Sequence, residues 1–113
     1  MLPESIIKEV QKLACMSPHK EICGLISQTT SSEFKIYPIR NVSKNLNDFV
    51  FDKVQYYQTI NELAKRNETI KCIYHSHLNN DSSPSKADLE CLNHIRKDYL
   101  IVTPFNFTYT EPK

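Results

Sequence analysis

A short, almost wholly apolar segment that ends in two histidines places the strongest constraint on this chain. Residues 69–74 have the composition of a central β-strand, and His75-Ser76-His77 follows directly. Because side chains alternate along an extended strand, His75 and His77 point to one side and Ser76 points away. Two imidazoles are therefore predicted to converge at the end of a buried strand.

Three other segments show the 3.6-residue spacing of apolar side chains that is typical of amphipathic helices. The first runs from Pro3 to about Met16, and the second follows an N-cap at Asp52. The third follows an N-cap at Ser83 and runs to about Arg96. The predicted core positions are Ile6, Ile7, Val10, Leu13 and Ala14 in the first helix, Val54, Tyr57, Ile60, Leu63 and Ala64 in the second, and Leu89, Leu92 and Ile95 in the third.

Extended segments between these helices complete an α/β domain. Residues 21–28 and 34–39 are predicted to form two antiparallel strands, because their connection is too short for a crossover. Further short strands are predicted at 49–51, 99–103 and 107–110. A chain of 113 residues is long enough for one domain with its own core. We therefore expect a single α/β domain over residues 1–113, with a mostly antiparallel central sheet flanked by helices.

The composition argues against two classes of partner. Fourteen Lys and Arg against thirteen Asp and Glu give a net charge of +1, and the charges are scattered, unlike the basic patch of a nucleic-acid-binding protein. No apolar run approaches the ~18 residues of a membrane span, and the start of the chain lacks a signal-peptide pattern. We expect a cytoplasmic protein with no nucleic-acid partner and no membrane partner.

A third metal ligand and a base can be added to the two histidines. Seven residues separate His77 from Ser85, and Asp88 lies three positions beyond Ser85 in the predicted helix, on the same face. Two neutral imidazoles and one carboxylate are a ligand set that catalytic Zn²⁺ sites use, with a fourth position left for water. Hydrolysis also needs a base, and Glu21 is the candidate, because its strand could lie beside residues 70–74.

Each of these features also has a purely structural interpretation. Paired histidines at a strand end are often surface polar groups, Ser85-x-x-Asp88 fits a capping box, and Glu21 alone fits a solvated carboxylate. A cysteine hydrolase that uses Cys23 or Cys91 is disfavoured, because both lie among apolar residues, where a thiol is poorly reactive. The combination of three ligands with a base favours a metal site.

Together these residues resemble the JAMM motif of the MPN+ or JAB metallopeptidases. The matching positions are Glu21 ahead of Cys23-Gly24-Leu25, then His75-Ser76-His77, seven residues, Ser85, two residues and Asp88. The order of predicted helices and strands also follows that family over most of the chain. The resemblance implies the layered MPN/JAB architecture, which is similar to that of cytidine deaminases. It further implies that His75, His77 and Asp88 bind Zn²⁺, that Glu21 is the general base, and that Ser85 stabilises the tetrahedral oxyanion.

The function that this resemblance implies is a zinc-dependent peptidase or isopeptidase acting on a protein or peptide. Family members often cleave just after the C-terminal tail of ubiquitin or a ubiquitin-like protein. Leu78 stands where many members have proline, and only 25 residues follow Asp88, too few for the ubiquitin-gripping insertions of eukaryotic members. The compact form looks more like prokaryotic and phage members, and is most similar to the JAB domain of phage tail-assembly proteins.

That similarity supplies an alternative function from a different class. The chain could be a phage tail-assembly interaction domain that keeps the JAB fold without needing peptidase activity. The presence of Glu21 favours the enzyme, because a purely structural zinc site needs no base and is usually closed by a fourth protein ligand.

Overall fold

The computed structural model describes residues 1–112, including every side chain except those of Leu92 and Asn93. Within this range the elements are α1 (Glu4–Cys15), β1 (Cys23–Gln28), β2 (Phe34–Ile39), α2 (Lys53–Lys65), β3 (Thr69–Ser76), α3 (Lys86–Ile95), β4 (Asp98–Val102) and β5 (Phe107–Thr110). The strands form one sheet in the order β2-β1-β3-β4-β5. Only β3 and β4 pair in parallel among these neighbours. The predicted α/β fold with a mostly antiparallel sheet is confirmed.

Helices cover both faces of the sheet, which gives three layers. The core under α1 contains Ile7, Val10, Ala14, Ile26, Cys72, Tyr74, Leu100 and Val102. The core under α2 and α3 contains Leu25, Ile39, Leu63, Ile73 and Tyr99. In β3, even-numbered side chains therefore face α1 and odd-numbered side chains face α2 and α3. This alternation directs His75 to the α2 and α3 side.

The parallel pairing of β3 with β4 determines where α3 begins. Two parallel strands cannot be joined by a tight turn, so the chain has to cross back over the sheet between them. The helix in that crossover is α3, and its first turn lies near the carboxyl end of β3. His77 directly follows β3 and Asp88 lies in the first turn of α3, so the crossover brings these two side chains into contact.

The inward face of α2 differs from the predicted one. Three predicted core positions are exposed: Val54, Tyr57 and Ala64. Ile60 and Leu63 pack inward as predicted, and Tyr56 joins them. Tyr56 stacks on Phe51, with ring centroids 5.5 Å apart. The contact with Phe51, which lies just before α2, therefore favours the helix face that carries Tyr56 over the face that carries Val54 and Tyr57.

The inward face of α3 also differs from the predicted one. Leu89, expected in the core, is 49% exposed. The inward face carries Cys91 and Ile95, which pack on the core, and the buried Asp88. Leu92, another predicted core position, lies outside the described side chains. The helix thus presents a carboxylate to the sheet where a leucine was expected.

The short strand predicted at 49–51 is reduced to a single bridge between Asn41 and Phe51.

In the described part of the chain, no helix combines the length and the apolar character that crossing a membrane requires.

Gly24 occupies a position in β1 where no side chain fits. A Cβ built on this residue would lie 2.5 Å from the hydroxyl oxygen of Tyr74 and 2.5 Å from the carbonyl oxygen of Tyr37. Tyr74 is fully buried, so its ring has no free space into which it can move. The glycine therefore allows β1 and the Tyr74 ring to pack closely.

Gly24→Ala should lower the free energy of unfolding by about 1–3 kcal/mol, because the added methyl group overpacks the core. Urea denaturation followed by circular dichroism measures the change. The control is Thr30→Ala in the exposed turn after β1, which should change stability by no more than about 0.5 kcal/mol. A Gly24→Ala protein as stable as the control would contradict the close packing of Tyr74 against β1.

Candidate metal centre

Three side chains from two elements converge at the carboxyl end of β3. His75 Nε2 lies 3.2 Å from Asp88 Oδ1, and His77 Nε2 lies 3.1 Å from Asp88 Oδ2. The ligand atoms of all three residues lie within 4.8 Å of one another. Imidazole nitrogen and carboxylate oxygen are donors that suit Zn²⁺ and several other transition metals. The structure thus brings together the three predicted ligands in a group that can hold one metal ion.

His75 is held by aromatic packing. It is 1% exposed, and its ring stacks on Phe49 with centroids 4.6 Å apart and lies 5.2 Å from the ring of Tyr99. Its Nδ1 has no hydrogen-bond partner among the described residues. Burial lowers the pKa of His75, although Asp88 acts in the opposite direction. The neutral form, which a metal ligand requires, is therefore favoured.

His77 is oriented by a hydrogen bond to the following loop. Its Nδ1 lies 2.8 Å from the carbonyl oxygen of Asp81, so Nδ1–H donates to that oxygen. In the charged imidazole Nε2–H donates to Asp88, and loss of that proton leaves the lone pair on Nε2. The hydrogen bond with Asp88 raises the pKa of His77, and burial opposes this effect. The tautomer set by Asp81 leaves Nε2, the atom beside Asp88, available to a metal.

The loop between β3 and α3 is fixed by its own polar side chains. Asn79 Oδ1 accepts from Asp81 N–H at 3.0 Å, and Asp81 Oδ1 accepts from Ser83 N–H at 2.9 Å. Asn106 Nδ2 donates to the carbonyl oxygen of Asn80 at 2.7 Å. These short turns and the link to the β4–β5 connection fix the loop that begins at Leu78.

Asp88 caps its own helix while it faces the histidines. Its Oδ2 accepts from Ser85 N–H at 2.8 Å, and Ser85 Oγ accepts from Asp88 N–H at 3.1 Å, which is a capping box. The N-cap is therefore Ser85, not Ser83 as predicted. Burial acts to raise the pKa of Asp88, but the hydrogen bonds from His75 and His77 outweigh it and hold the pKa well below its usual range. The carboxylate is ionised, as a metal ligand must be.

Glu21 lies on the same face of the sheet as the two imidazoles. The β1–β3 register pairs Cys23 with His75, so Glu21, two residues before Cys23, falls beside His77. Glu21 is 4% exposed and lines one cleft with the three candidate ligands. It is therefore not the solvated carboxylate of the structural interpretation. Burial raises the pKa of Glu21 from 4.5 to about 7, and His77 partly offsets this effect.

The cleft is open to solvent and has a volume of about 740 Å³. Residues 44–48 line one part of it, and Ser85 and the first turn of α3 line another. Ser85 is exposed, and its hydroxyl oxygen accepts from Asp88 N–H, which leaves the hydroxyl proton free to donate. The geometry permits Ser85 to donate into the cleft, and its assignment to the oxyanion stays a prediction.

The thiols near the site are not activated. Burial raises the pKa of Cys23 to about 12 and also raises the pKa of Cys91. Cys23 Sγ donates to the carbonyl oxygen of Ile39 at 3.3 Å. These surroundings disfavour a thiolate nucleophile, in agreement with the sequence analysis.

Three residues around the site escaped the sequence analysis. Phe49 stacks on His75, Asn41 is buried beside Glu21, and Ser76 contacts the backbone next to Glu21. The alternation of side chains in β3 predicts only that Ser76 points away from the two histidines, and it does not predict the hydrogen bond from Ile22 N–H to Ser76 Oγ. No local pattern distinguishes Asn41 or Phe49, because the partners that define their roles come from other elements.

The comparisons with known proteins identify the family. Residues 3–109 match the family of prokaryotic homologs of the JAB domain, and the chain belongs to that family. This confirms the family resemblance read from the sequence, while the closer similarity to phage tail-assembly proteins stays a prediction. No curated protein matches the sequence.

Two solved structures have a similar fold. The solution structure of a protein from Desulfitobacterium hafniense has a TM-score of 0.75 at 20% identity, covering 94% of this chain and 77% of that one. The solution structure of a protein from Salinibacter ruber has a TM-score of 0.64 at 18% identity, covering 96% of this chain and 79% of that one. At these identities the similarity concerns the fold alone.

Metal binding is tested by elemental analysis of protein purified without a histidine tag. The wild type should contain about one metal ion per chain, and His77→Ala should lose it, because the two remaining ligands make a weak site. His19→Ala, which removes an exposed histidine on the loop after α1, is the matched control and should keep the metal. Equal metal content in the two variants would contradict the assignment of His77.

The buried carboxyl of Glu21 predicts a pH dependence in metal-free protein. Well below pH 4.5 the group is protonated in both the folded and unfolded states. As the pH rises from 4.5 towards 7, the unfolded state loses this proton first, so the free energy of unfolding falls, by up to about 3 kcal/mol. Glu21→Gln lacks this titration and should gain stability relative to the wild type over that range.

Urea denaturation of both proteins with a chelator, from about pH 4 to about pH 8, gives the difference in their free energies of unfolding. Titrations of the other groups are common to both proteins and largely cancel. A difference that does not change with pH would show that Glu21 keeps an ordinary pKa in the folded chain.

Proposed function

We propose that this protein is a zinc-dependent metallopeptidase of JAMM type that hydrolyses a peptide or isopeptide bond. The observation that carries the proposal is the convergence of His75, His77 and Asp88 in a cleft that the buried Glu21 also lines. Among the described residues the ligand group has three members, which leaves a coordination position for water. Three ligands, an open cleft and a nearby base favour catalysis over a purely structural metal site.

The residues of the cleft have distinct roles in this proposal. When bound, Zn²⁺ would supply Lewis acidity and make a coordinated water acidic at about pH 7. Glu21 would take a proton from the attacking water and pass it to the leaving amine. Burial raises the pKa of Glu21 to about 7 in the metal-free chain, and the charge of a bound Zn²⁺ would lower it, so the carboxylate would be ionised and ready to accept a proton. Ser85 would donate its hydroxyl proton to the oxyanion that develops at the scissile carbonyl.

The substrate would be a protein or peptide segment that enters the cleft in an extended form. The cleft is open, with residues 44–48 and the start of α3 along its sides, so a chain can pass through it. The habit of the family supports a C-terminal tail, either of a ubiquitin-like protein or of a phage tail protein. A cytoplasmic location, where such tails occur, is part of the same proposal.

Substitution of Glu21 distinguishes the peptidase from the alternative assembly domain. Glu21→Gln should abolish cleavage while the zinc content stays unchanged, because the residue accepts a proton and is not one of the three ligands. The measurement combines elemental analysis with cleavage of a ubiquitin-like protein extended by a C-terminal peptide. Glu9→Gln, on the exposed side of α1, is the matched control and should cleave as the wild type does.

Two outcomes would contradict the proposal in different ways. Loss of zinc from Glu21→Gln would mean that Glu21 is a ligand and not the base. A zinc-loaded wild type that cleaves neither ubiquitin-like nor phage tail fusions would favour the assembly domain instead.

A further inference from the structure

The peptide unit that joins Glu21 to Ile22 is held at both ends by side chains. Its carbonyl oxygen, which belongs to Glu21, accepts a hydrogen bond from Asn41 Nδ2 at 2.9 Å. Its N–H, which belongs to Ile22, donates to Ser76 Oγ at 2.8 Å. This peptide unit precedes β1, so the backbone next to Glu21 depends on these two side chains.

The hydroxyl group of Ser76 accepts the Ile22 N–H, a role that the backbone carbonyl of Ser76 would have in a regular strand pair. Its own N–H donates to the carbonyl oxygen of Ile22 at 2.9 Å, as in an antiparallel pair. In a regular pair the Ile22 N–H would donate to the carbonyl oxygen of Ser76, but here it donates to Oγ. Ser76 is 1% exposed and points to the face of β3 opposite His75 and His77. It can therefore affect the cleft only through the backbone.

Asn41 uses both ends of its amide group. Nδ2 donates to the carbonyl oxygens of Glu21 and Asp48, and Oδ1 accepts from the N–H groups of Ser43 and Val50. The residue is only 7% exposed, and its bond to the carbonyl oxygen of Glu21 is buried, which shields that bond from water. Asn41 thereby ties the backbone of Glu21 to the loop that lines the cleft.

We propose that Asn41 and Ser76 are positioning residues that fix the direction of the Glu21 carboxylate towards the metal ligands. The proposal rests on the proposed role of Glu21 as general base. Neither residue belongs to the ligand group, and they bind opposite ends of one peptide unit. A displacement of about 1 Å in a catalytic group can cost about 100-fold in rate, so such a restraint has a direct effect on catalysis.

Two single substitutions release one end of the peptide unit each. Asn41→Asp removes the Nδ2 donor to Glu21 but keeps an oxygen that can accept from Ser43 and Val50 N–H. Ser76→Ala removes the acceptor of Ile22 N–H. Nuclear magnetic resonance on the zinc-loaded full chain then measures amide hydrogen exchange at Ile22 and the carboxyl carbon signal of Glu21.

Both variants should exchange the Ile22 amide about tenfold faster than the wild type, relative to the core amide of Leu100, because one hydrogen bond that held the peptide is lost. The carboxyl carbon signal of Glu21 should shift in Ser76→Ala, which adds no charge. In Asn41→Asp the new carboxylate moves that signal by its charge alone, so Ile22 exchange is the readout for that variant. Zinc content should stay at the wild-type level. Because the two variants act at opposite ends, either one suffices if the other does not fold.

A matched control separates positioning from a general loss of stability. Ser27 is also a buried serine of the β1–β3 pair, and its Oγ donates to Glu68 Oε1 at 2.6 Å, far from the cleft. Ser27→Ala should destabilise the fold without changing the relative exchange of Ile22 or the Glu21 signal. Ser76→Thr, which keeps a hydroxyl, should retain the wild-type signals. The proposal is overturned if Ile22 exchange in Asn41→Asp and Ser76→Ala, and the Glu21 signal in Ser76→Ala, change no more than they do in Ser27→Ala.

The positioning of Glu21 and the proposed peptidase activity are tested by different measurements, so either one can be contradicted without the other. Exchange at Ile22 and the carboxyl signal of Glu21 require no substrate, so they report on the restraint even if no cleavage is found. On a ubiquitin-like fusion that the wild type cleaves, both variants should lower kcat and leave KM nearly unchanged. A raised KM with unchanged kcat would mean that Asn41 and Ser76 shape substrate binding and do not orient the base.

Discussion

The antiparallel pairing of β1 with β3 is the contact on which the whole site depends. Its register places Cys23 opposite His75, and strand alternation then puts Glu21 on the face that carries both imidazoles. A shift of one residue would turn the carboxylate to the α1 side of the sheet. The same register sets Gly24 against Tyr74, where only a glycine fits. Close packing on one face and the candidate chemistry on the other are consequences of a single alignment.

Asp88 links the stability of α3 to the candidate metal centre. Its carboxylate accepts from Ser85 N–H and faces both imidazoles, and a negative charge is favourable at a helix N-terminus. The capping box therefore does not compete with metal binding, because it orients the carboxylate towards His75 and His77. The arrangement holds the ligand atoms near one another through contacts that belong to the fold itself, which is the preorganisation that a metal site requires.

Short-range patterns were enough to predict most of this site, and long-range contacts explain what was missed. Strand alternation placed His75 and His77 side by side, and helical spacing brought Asp88 into the first turn of α3. Helical spacing alone does not say which of two neighbouring stripes faces the sheet, so Leu89 was assigned to the core. The role of Asn41 depends on a carbonyl group 20 residues away, and neighbouring residues in the sequence carry no trace of that contact.

The three candidate ligands and the base differ in how far apart they lie along the chain. His75, His77 and Asp88 belong to one strand–loop–helix unit, whereas the backbone beside Glu21 reaches this unit through a contact that spans 54 residues. Closing a short loop costs less entropy than closing a long one, so the ligand unit can assemble early in folding. The three candidate ligands can therefore come together in a partly folded chain before Glu21 reaches them, because Glu21 joins the group only when β1 pairs with β3.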